Sequence, residues 1–237
     1  MRQEIVHDIN ERNKASYSAV AREFYETRKT PWDEFHHFLS YVEEGAKVLD
    51  LGCGNGRFYE FLLPKKVDYL GVDNNPHQLE IGREMYPQAH FDLADMMEYD
   101  APAASFDNVF SIAAFHHLPG VQTRRHVVNQ LHKILKPNGV LILTVWNLFQ
   151  WKYLSDLLKG ALSFVFHLGL KTAWNDVMIK WGNYPKKRYY HAFLPKELLR
   201  FFKPKEWKVE EFYFTKRGNR VSFWRAHNMV LILRRIT

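Results

Sequence analysis

Residues 48–58 read VLDLGCGNGRF, an apolar run that passes directly into three closely spaced glycines. The run predicts a buried strand, and the segment after it predicts a short helix. The glycines are spaced Gly52-x-Gly54-x-Gly56, whereas the pyrophosphate loop of dinucleotide-binding folds requires G-x-G-x-x-G. Glycine permits positive φ and a close approach of the backbone to a ligand. The stretch therefore predicts a ligand-binding turn between a strand and a helix.

Asp50 discriminates between two classes of ligand for this turn. It lies two residues before Gly52, at the mouth of the predicted strand. A pyrophosphate at the following helix N-terminus would face a carboxylate of the same charge, which is unfavourable. S-adenosylmethionine carries a sulfonium and an ammonium group, so a carboxylate there favours it. We therefore predict S-adenosylmethionine as the cofactor, and we predict no metal site.

Two further carboxylates follow predicted strands. Asp73 ends the second strand, where it is able to accept hydrogen bonds from both ribose hydroxyls. Asp95 follows the third strand, where it is able to accept from the adenine amino group, with Met96 beside the base. The predicted cofactor-binding residues are Asp50, Gly52, Cys53, Gly54, Asn55, Gly56, Asp73, Asn74, Asp95, Met96 and Ser111.

Apolar strands alternate with helical segments through residues 45–146, which is typical of a parallel sheet covered on both faces. The last two strand-like segments, EWKVEEFYF and HNMVLILRR, are joined by a basic loop and predict an antiparallel edge pair. The predicted fold class is α/β, with a doubly wound, seven-stranded, mostly parallel sheet. The single domain, 1–237, divides into an N-terminal helical cap (1–44), a cofactor-binding core (45–146), an aromatic and basic insertion on the substrate side (147–195) and the C-terminal strand pair (196–237).

Two helices outside the core are predicted from apolar spacing. The first spans residues ~8–28, with Tyr17, Val20, Ala21, Phe24 and Tyr25 on one face. The second begins at Trp151 and continues the apolar stripe to Val165. We expect this stripe to pack on its own domain; the alternative is a lid over a hydrophobic substrate.

Composition and charge narrow the classes of function. A chain of 237 residues with 46% hydrophobic residues is long enough for one α/β domain. The single cysteine excludes an internal disulfide, and no stretch is apolar over the length of a membrane span, so we expect a cytoplasmic protein without stable membrane insertion. Residues 147–237 hold 18 Lys and Arg against 6 Asp and Glu, and five of the seven tryptophans. This basic, aromatic third predicts a surface for a polyanion; the alternative is a solvated lysine-rich face.

Motifs in the core resemble those of the seven-stranded, Rossmann-like methyltransferases. In order, they are VLDLGCGNGR, GVDNN, DLADM, FDNVFSIAAFHHL and LKPNGVLIL. Outside the core, YSAVAREFYETRKTPW, SIAAFHHLPGVQTRRHVV and RYYHAFLPKEL resemble segments of the tRNA wobble-uridine carboxymethyl methyltransferases. The chain departs from that family at Asp33, where proline is usual, and at the C-terminal DNW element, for which the nearest segment is GNRVSFWR.

The resemblance implies methyl-ester formation on a carboxymethyl group of a wobble uridine in tRNA, and a small zinc-binding activator protein as a partner. A carboxylate acceptor is ionised at neutral pH, so it needs alignment rather than a base. The predicted catalytic residues are Arg28 and Arg188, able to pair the carboxylate through two hydrogen bonds, and His116 after the fourth strand. The predicted substrate-binding residues are Trp32, His117, Lys186, Lys187, Tyr189, Tyr190 and His191.

Each of these residues also has a structural interpretation, in which the arginines lie on the surface and the histidines and tyrosines pack in a wall or core. Two other functions remain open from the sequence. The first is a methyltransferase for a small molecule such as a quinone, lipid or metabolite. The second is a non-catalytic RNA-binding module that retains the cofactor site. The basic C-terminal third argues against the first, and the carboxylates Asp50, Asp73 and Asp95 argue against the second.

Overall fold

The computed structural model describes residues 3–22, 34–166, 173–180 and 187–236. The predictions for Arg28, Trp32 and Lys186 therefore lie outside the described residues. The α-helices are α1 (Gln3–Ser18), α2 (Glu34–Phe38), α3 (Tyr59–Leu62), α4 (Pro76–Met85), α5 (Val121–Ile134), α6 (Leu154–Val165) and α7 (Pro195–Leu199). The strands are β1 (Lys47–Leu51), β2 (Asp68–Asp73), β3 (His90–Leu93), β4 (Phe106–Ile112), β5 (Leu135–Trp146), β6 (Asp176–Lys180), β7 (Lys187–His191), β8 (Trp207–Lys216), β9 (Asn219–Arg220) and β10 (Asn228–Arg235).

The main sheet has the strand order β3-β2-β1-β4-β5-β10-β8-β9 in the described residues. Strands β1 to β5 pair in parallel, whereas β10 pairs antiparallel with both β5 and β8. The mostly parallel α/β sheet with an antiparallel C-terminal pair is thus confirmed. The sheet has eight strands instead of seven because β9 folds back on the end of β8. Arg217 and Gly218 form that tight turn, both with positive φ (52° and 74°).

The hydrophobic core lies on both faces of this sheet, as continuous apolar strands require. One layer packs β4 and β5 against α5, with Val127 and Leu131 fully buried. The other packs β1 against the short helices before and after it, with Phe38 and Leu62 fully buried. The loops at the carboxyl ends of the parallel strands are thereby held between two rigid layers. The division of the chain into four parts stays a prediction.

The insertion forms a separate two-stranded sheet that the sequence did not predict. Strands β6 and β7 pair antiparallel, from Asp176 opposite His191 to Lys180 opposite Lys187. Helix α6 packs on β6 at Gly160, where an added Cβ would lie 2.4 Å from the Asp176 carbonyl oxygen. This close approach buries Leu157 against residues of β6 and β7.

The prediction that the apolar stripe of α6 packs on its own domain is wrong. Only Leu157 of this helix is buried. Gly160 determines which face of α6 contacts β6, so the opposite face of the helix is exposed to solvent. The exposed members of the stripe are Trp151, Leu154, Leu158, Leu162 and Val165.

The first helix also differs from its prediction. It begins at Gln3 and ends at Ser18, rather than spanning ~8–28; residues 23–28 lie outside the described ranges. Its buried residues are Ile9, Asn13 and Ser16, two of them polar, so apolar spacing was a poor guide to its inner face. Within the described residues, no helix is long and apolar enough to span a membrane.

Candidate active site

A cavity lies at the carboxyl ends of β1, β2 and β4. In open α/β sheets this edge is the usual ligand site, where neighbouring connections run to opposite faces. Eight of the residues predicted to bind the cofactor line this cavity. They are Gly52, Cys53, Gly54, Asn55, Asp73, Asn74, Asp95 and Met96.

The glycine loop requires glycine at two positions for different reasons. Gly52 has φ +81°, and a Cβ there would lie 2.4 Å from the Ala114 Cβ, across the cavity floor. Gly56 has φ +71°, and a Cβ there would lie 2.5 Å from the ring of Phe91. A larger residue at either position is therefore strained in backbone and in packing.

Asp73 holds the glycine loop against the end of β2. Its Oδ2 accepts a hydrogen bond from the Gly54 amide at 2.8 Å, and its Oδ1 accepts one from the Asn75 amide at 2.9 Å. Burial raises the pKa of Asp73, while these two amides act in the opposite direction. The carboxylate is thus fixed in one orientation at the cavity wall.

Asp95 lies at the neighbouring strand end and makes a second polar cluster. Its Oδ1 accepts from the Met97 amide at 2.8 Å, and its Oδ2 accepts from the Asn74 side chain at 3.0 Å. Asn10 of α1 also donates to Oδ2, and its own amide oxygen accepts from Asn74 at 3.1 Å. Helix α1 is therefore joined to the cofactor-side carboxylates.

Three of the predicted cofactor residues do not line the cavity. Asp50 is 2% exposed, and Tyr69 donates its hydroxyl to Asp50 Oδ2 at 3.0 Å. Burial raises the pKa of Asp50 to about 7. Ser111 is fully buried within β4, and Gly56 faces Phe91. Side chains alternate between the faces of a strand, so Asp50 on β1 and Ser111 on β4 lie behind the cavity although their strand ends border it, and Gly56 serves the packing of the loop.

Helix α1 closes the cavity with residues that sequence analysis missed. Its cavity-lining side chains are Asn10, Asn13, Lys14 and Tyr17. They follow the i, i+3, i+4, i+7 spacing of one helix face. A search for this spacing among polar residues would have found them, whereas the apolar pattern included only Tyr17 and gave it no role in the site.

His117 is the histidine that lines the cavity. Its Nδ1 lies 2.9 Å from the Tyr189 carbonyl oxygen, and its Nε2 lies 2.8 Å from the Tyr17 hydroxyl. A carbonyl oxygen only accepts, so Nδ1 carries the proton and Nε2 accepts from Tyr17. Burial, together with the Arg188 cation, lowers the pKa of His117 to about 4. The ring is neutral at physiological pH, and both its nitrogens are already hydrogen-bonded.

His116 points away from the cavity and is fully buried. Its Nδ1 accepts from the Trp146 amide at 3.2 Å, and its ring stacks on Tyr190 at a centroid distance of 5.3 Å. Burial lowers the pKa of His116 well below its ordinary value. The structure thus places His116 in the wall behind the site, and not at the position predicted for a catalytic histidine.

Strand β7 contains the RYYH segment, and its side chains lie behind the cavity rather than in it. Arg188 Nε donates to the Ser16 hydroxyl at 2.7 Å, and the guanidinium lies 3.8 Å from the centre of the Tyr17 ring. The Tyr189 amide donates to Asn13 Oδ1 at 2.8 Å. These contacts position α1, which in turn lines the cavity.

Tyr190 and His191 are likewise buried. Tyr190 stacks on Trp146 at a centroid distance of 5.4 Å. His191 lies between two carboxylates, with Nδ1 2.6 Å from Asp176 and Nε2 2.8 Å from Glu197. The sequence predicted direct substrate contact for Arg188 and these residues. The structure instead gives them supporting positions, because pairing with β6 turns the strand inward.

Lys187, the remaining described residue of the predicted substrate set, is exposed at the start of β7. It shares that strand with Arg188 but lies on the surface, apart from the residues that line the cavity. Its predicted contact with the substrate stays a prediction.

The cavity suits a cationic, hydrogen-bonding ligand such as S-adenosylmethionine. Asp73 and Asp95 line it, and Asp50 lies beneath the loop. Gln78 also lines it, is 2% exposed, and both polar atoms of its side-chain amide have no hydrogen-bond partner among the described residues. Buried amides are normally satisfied, so a polar ligand is the expected partner.

Comparison with known proteins agrees with this geometry. A model of the methyltransferase domain family matches residues 48–139. An S-adenosylmethionine-dependent methyltransferase of Methanosarcina mazei superposes with a TM-score of 0.69 at 19% identity, covering 84% of this chain and 97% of that one. A methyltransferase of Haloferax volcanii, solved in complex with the Trm112 methyltransferase activator, gives a TM-score of 0.66 at 17% identity, covering 95% and 98%. At these identities the likeness shows the fold.

A methyltransferase of Encephalitozoon cuniculi is 31% identical over 195 residues, which is 81% of this chain and 85% of that protein. The chain belongs to the S-adenosylmethionine-dependent methyltransferase family. It is also similar to a tRNA (carboxymethyluridine(34)-5-O)-methyltransferase of Macaca fascicularis, 31% identical over 162 residues, or 68% of this chain. The chain matches only 23% of the length of that relative.

Proposed function

We propose that this chain methylates the carboxylate of a carboxymethyl group on a wobble uridine of tRNA, forming a methyl ester. The similarity to relatives named for this reaction supports the proposal. S-adenosylmethionine supplies the methyl group. We place this action in the cytoplasm.

The state of His117 is the observation that carries this choice of acceptor. Both ring nitrogens are hydrogen-bonded and its pKa is about 4, so it holds no accessible lone pair for a proton. The two carboxylates in the cavity wall, Asp73 and Asp95, lie on the cofactor side and accept amide hydrogen bonds. A hydroxyl or amine acceptor would need a base within hydrogen-bond reach, whereas a carboxylate needs none.

Two side chains of α1 are suited to orient the acceptor. Lys14 lines the cavity and supplies a cation, and Tyr17 lines it with a hydroxyl held by His117. An anionic oxygen attracted by Lys14 would be aligned toward the methyl donor, and alignment is the main requirement of this reaction. Arg28 stays a proposed contact to the same carboxylate.

The test is methyl transfer to tRNA bearing 5-carboxymethyluridine, with nucleosides identified by mass spectrometry. We expect the methyl ester to appear and to be lost after mild alkali. The same tRNA lacking the carboxymethyl group should remain unmodified. Methylation that survives alkali, or equal methylation of both tRNAs, would contradict the proposal.

We also propose an activator protein as a partner. The fold neighbour from Haloferax volcanii, described as a complex with a methyltransferase activator, motivates this proposal. Co-expression with a small zinc-binding activator should raise the soluble yield and the transfer rate together. Unchanged yield and rate in its presence would refute the partnership.

A further inference from the structure

Two tryptophans on neighbouring loops are largely exposed to solvent. Trp151 is 89% exposed at the end of the loop after β5, and Trp224 is 73% exposed in the loop before β10. Exposed apolar residues that share one patch mark interaction sites, whereas singly scattered ones do not, so the surroundings of the two rings matter. Their surroundings identify the kind of partner.

Asn147 ties the two loops together beside the cavity. Its side-chain amide donates to the carbonyl oxygens of Phe223 at 2.6 Å and Ala226 at 3.2 Å, and its backbone amide donates to the His227 carbonyl at 2.8 Å. Trp146, the residue before it, lines the cavity. The two loops therefore form a fixed surface that continues from the cavity mouth.

Four exposed cations accompany the two tryptophans: Lys152, Lys216, Arg217 and Arg225. Within the described residues none of the four forms an ion pair, whereas Lys208 on β8, Arg220 on β9 and Arg234 on β10 all do. We call the six residues Trp151, Lys152, Lys216, Arg217, Trp224 and Arg225 the tryptophan rim.

Backbone pairing brings His227 next to Lys216, because the His227 amide donates to the Thr215 carbonyl oxygen at 2.7 Å and Thr215 precedes Lys216. Burial lowers the pKa of His227, and Lys152, Lys216 and Arg217 lower it further. Among the described groups that act on it, Glu34 opposes them, but this carboxylate is buried and accepts the Thr215 hydroxyl at 2.5 Å. The outer surface of the rim is therefore positive.

We propose that the tryptophan rim is an RNA-contact surface that holds an unpaired loop against the mouth of the cavity. Trp151 and Trp224 stack on unpaired bases, and the four cations contact phosphates. Stacking on aromatic rings combined with backbone-tracking cations is how proteins bind single-stranded segments of RNA. The proposal rests on the proposed function, because it takes RNA as the bearer of the methyl acceptor.

Positive charge favours RNA over the other occupants of such a surface. An apolar protein partner would bury the tryptophans but would leave four cations without counter-charges, which is costly. Phosphates supply these counter-charges, and counterion release makes the contact salt-dependent.

The test measures binding of a fluorescein-labelled RNA hairpin with an unpaired loop, and of a fully paired duplex, by fluorescence anisotropy. Trp224→Ala should weaken hairpin binding about tenfold and leave duplex binding nearly unchanged, since only unpaired bases stack. Trp224→Phe should restore most of the affinity. The pair Lys216→Ala and Arg217→Ala should reduce the salt slope by about 0.7 per lost contact. The matched control pair, Lys203→Ala and Lys205→Ala at the opposite end of β8, should change neither slope nor affinity.

Methyl transfer to the tRNA substrate is measured on the same proteins, so that the two proposals fail separately. Cofactor affinity by calorimetry confirms that each variant is folded. If the native chain methylates tRNA while the rim variants bind the hairpin as it does, the rim proposal is overturned and the proposed function stands. If the rim variants lose hairpin binding although no protein methylates tRNA, the rim proposal stands and the proposed function fails. Equal loss for hairpin and duplex on Trp224→Ala would also overturn the stacking role.

Discussion

Tyr17 of α1 donates its hydroxyl proton to His117 Nε2 at 2.8 Å, across 100 residues of sequence. This bond joins the helix that closes the cavity to the loop after β4. It also occupies the nitrogen that would otherwise accept a proton from a substrate. The pair thus closes one side of the cavity and leaves neither nitrogen of His117 without a hydrogen bond.

Tyr17→Phe should destabilise the protein, because His117 Nε2 then lacks its donor in a half-buried site. We expect the free energy of unfolding in urea to fall by about 1–3 kcal/mol. Tyr153→Phe is the matched control, since the Tyr153 hydroxyl makes no hydrogen bond within the described residues. Equal losses in the two variants would show that the Tyr17–His117 bond contributes nothing.

Asp73→Asn should weaken cofactor binding while keeping the size of the side chain. A charge-assisted hydrogen bond contributes about 1.5–3 kcal/mol, so calorimetry should show at least a tenfold loss of S-adenosylmethionine affinity. Asp68→Asn, at the exposed start of the same strand, is the control. Unchanged affinity in Asp73→Asn would remove this carboxylate from the cofactor site.

Asp50 should make cofactor binding pH-dependent. Burial raises its pKa to about 7, so the folded protein holds this proton between pH 4 and 7 while the unfolded chain does not. Its contribution to stability is therefore present at low pH and is lost as pH rises through 7. A cationic ligand favours the ionised form, so affinity should fall by up to about tenfold from pH 8 to pH 6.

Asp50→Asn supplies the comparison for this pH effect. The variant retains the size of the side chain, and any titration of the ligand itself is the same in both proteins. Calorimetry at the two pH values should show a smaller change in affinity for Asp50→Asn. An identical pH dependence would exclude Asp50 as its source.

Arg188→Lys should loosen α1 without touching the acceptor. Lysine keeps the charge but loses the planar pair of donors to Ser16 and the stacking on Tyr17. We expect faster hydrogen exchange in Gln3–Ser18 and weaker cofactor binding, since α1 lines the cavity. Arg200→Lys, at an exposed position, is the control. If transfer falls while α1 exchange and cofactor affinity are unchanged, Arg188 contacts the substrate after all.

The exposed face of α6 shows where a local pattern misleads. Its apolar stripe follows helical spacing closely, and such a stripe usually faces a core. The packing face is instead decided by Gly160, whose missing side chain lets the helix backbone approach Asp176 on β6. Hydrophobic spacing identified the helix, and only the position of β6 decided which side is buried.

The sequence by itself determined the cofactor half of this protein. The alternation of strands and helices, the glycine loop and the carboxylates at the ends of β1, β2 and β3 depend on patterns within a few residues, so VLDLGCGNGRF and the segments after it predict them directly. Only the tertiary structure decided the other wall of the cavity. The contacts of Ser16 with Arg188 and of Asn13 with Tyr189 join residues 172 and 176 positions apart, and they hold α1 against the cavity with RYYH behind it. No local periodicity encodes such contacts, because each depends on where a distant strand lies when the chain has folded.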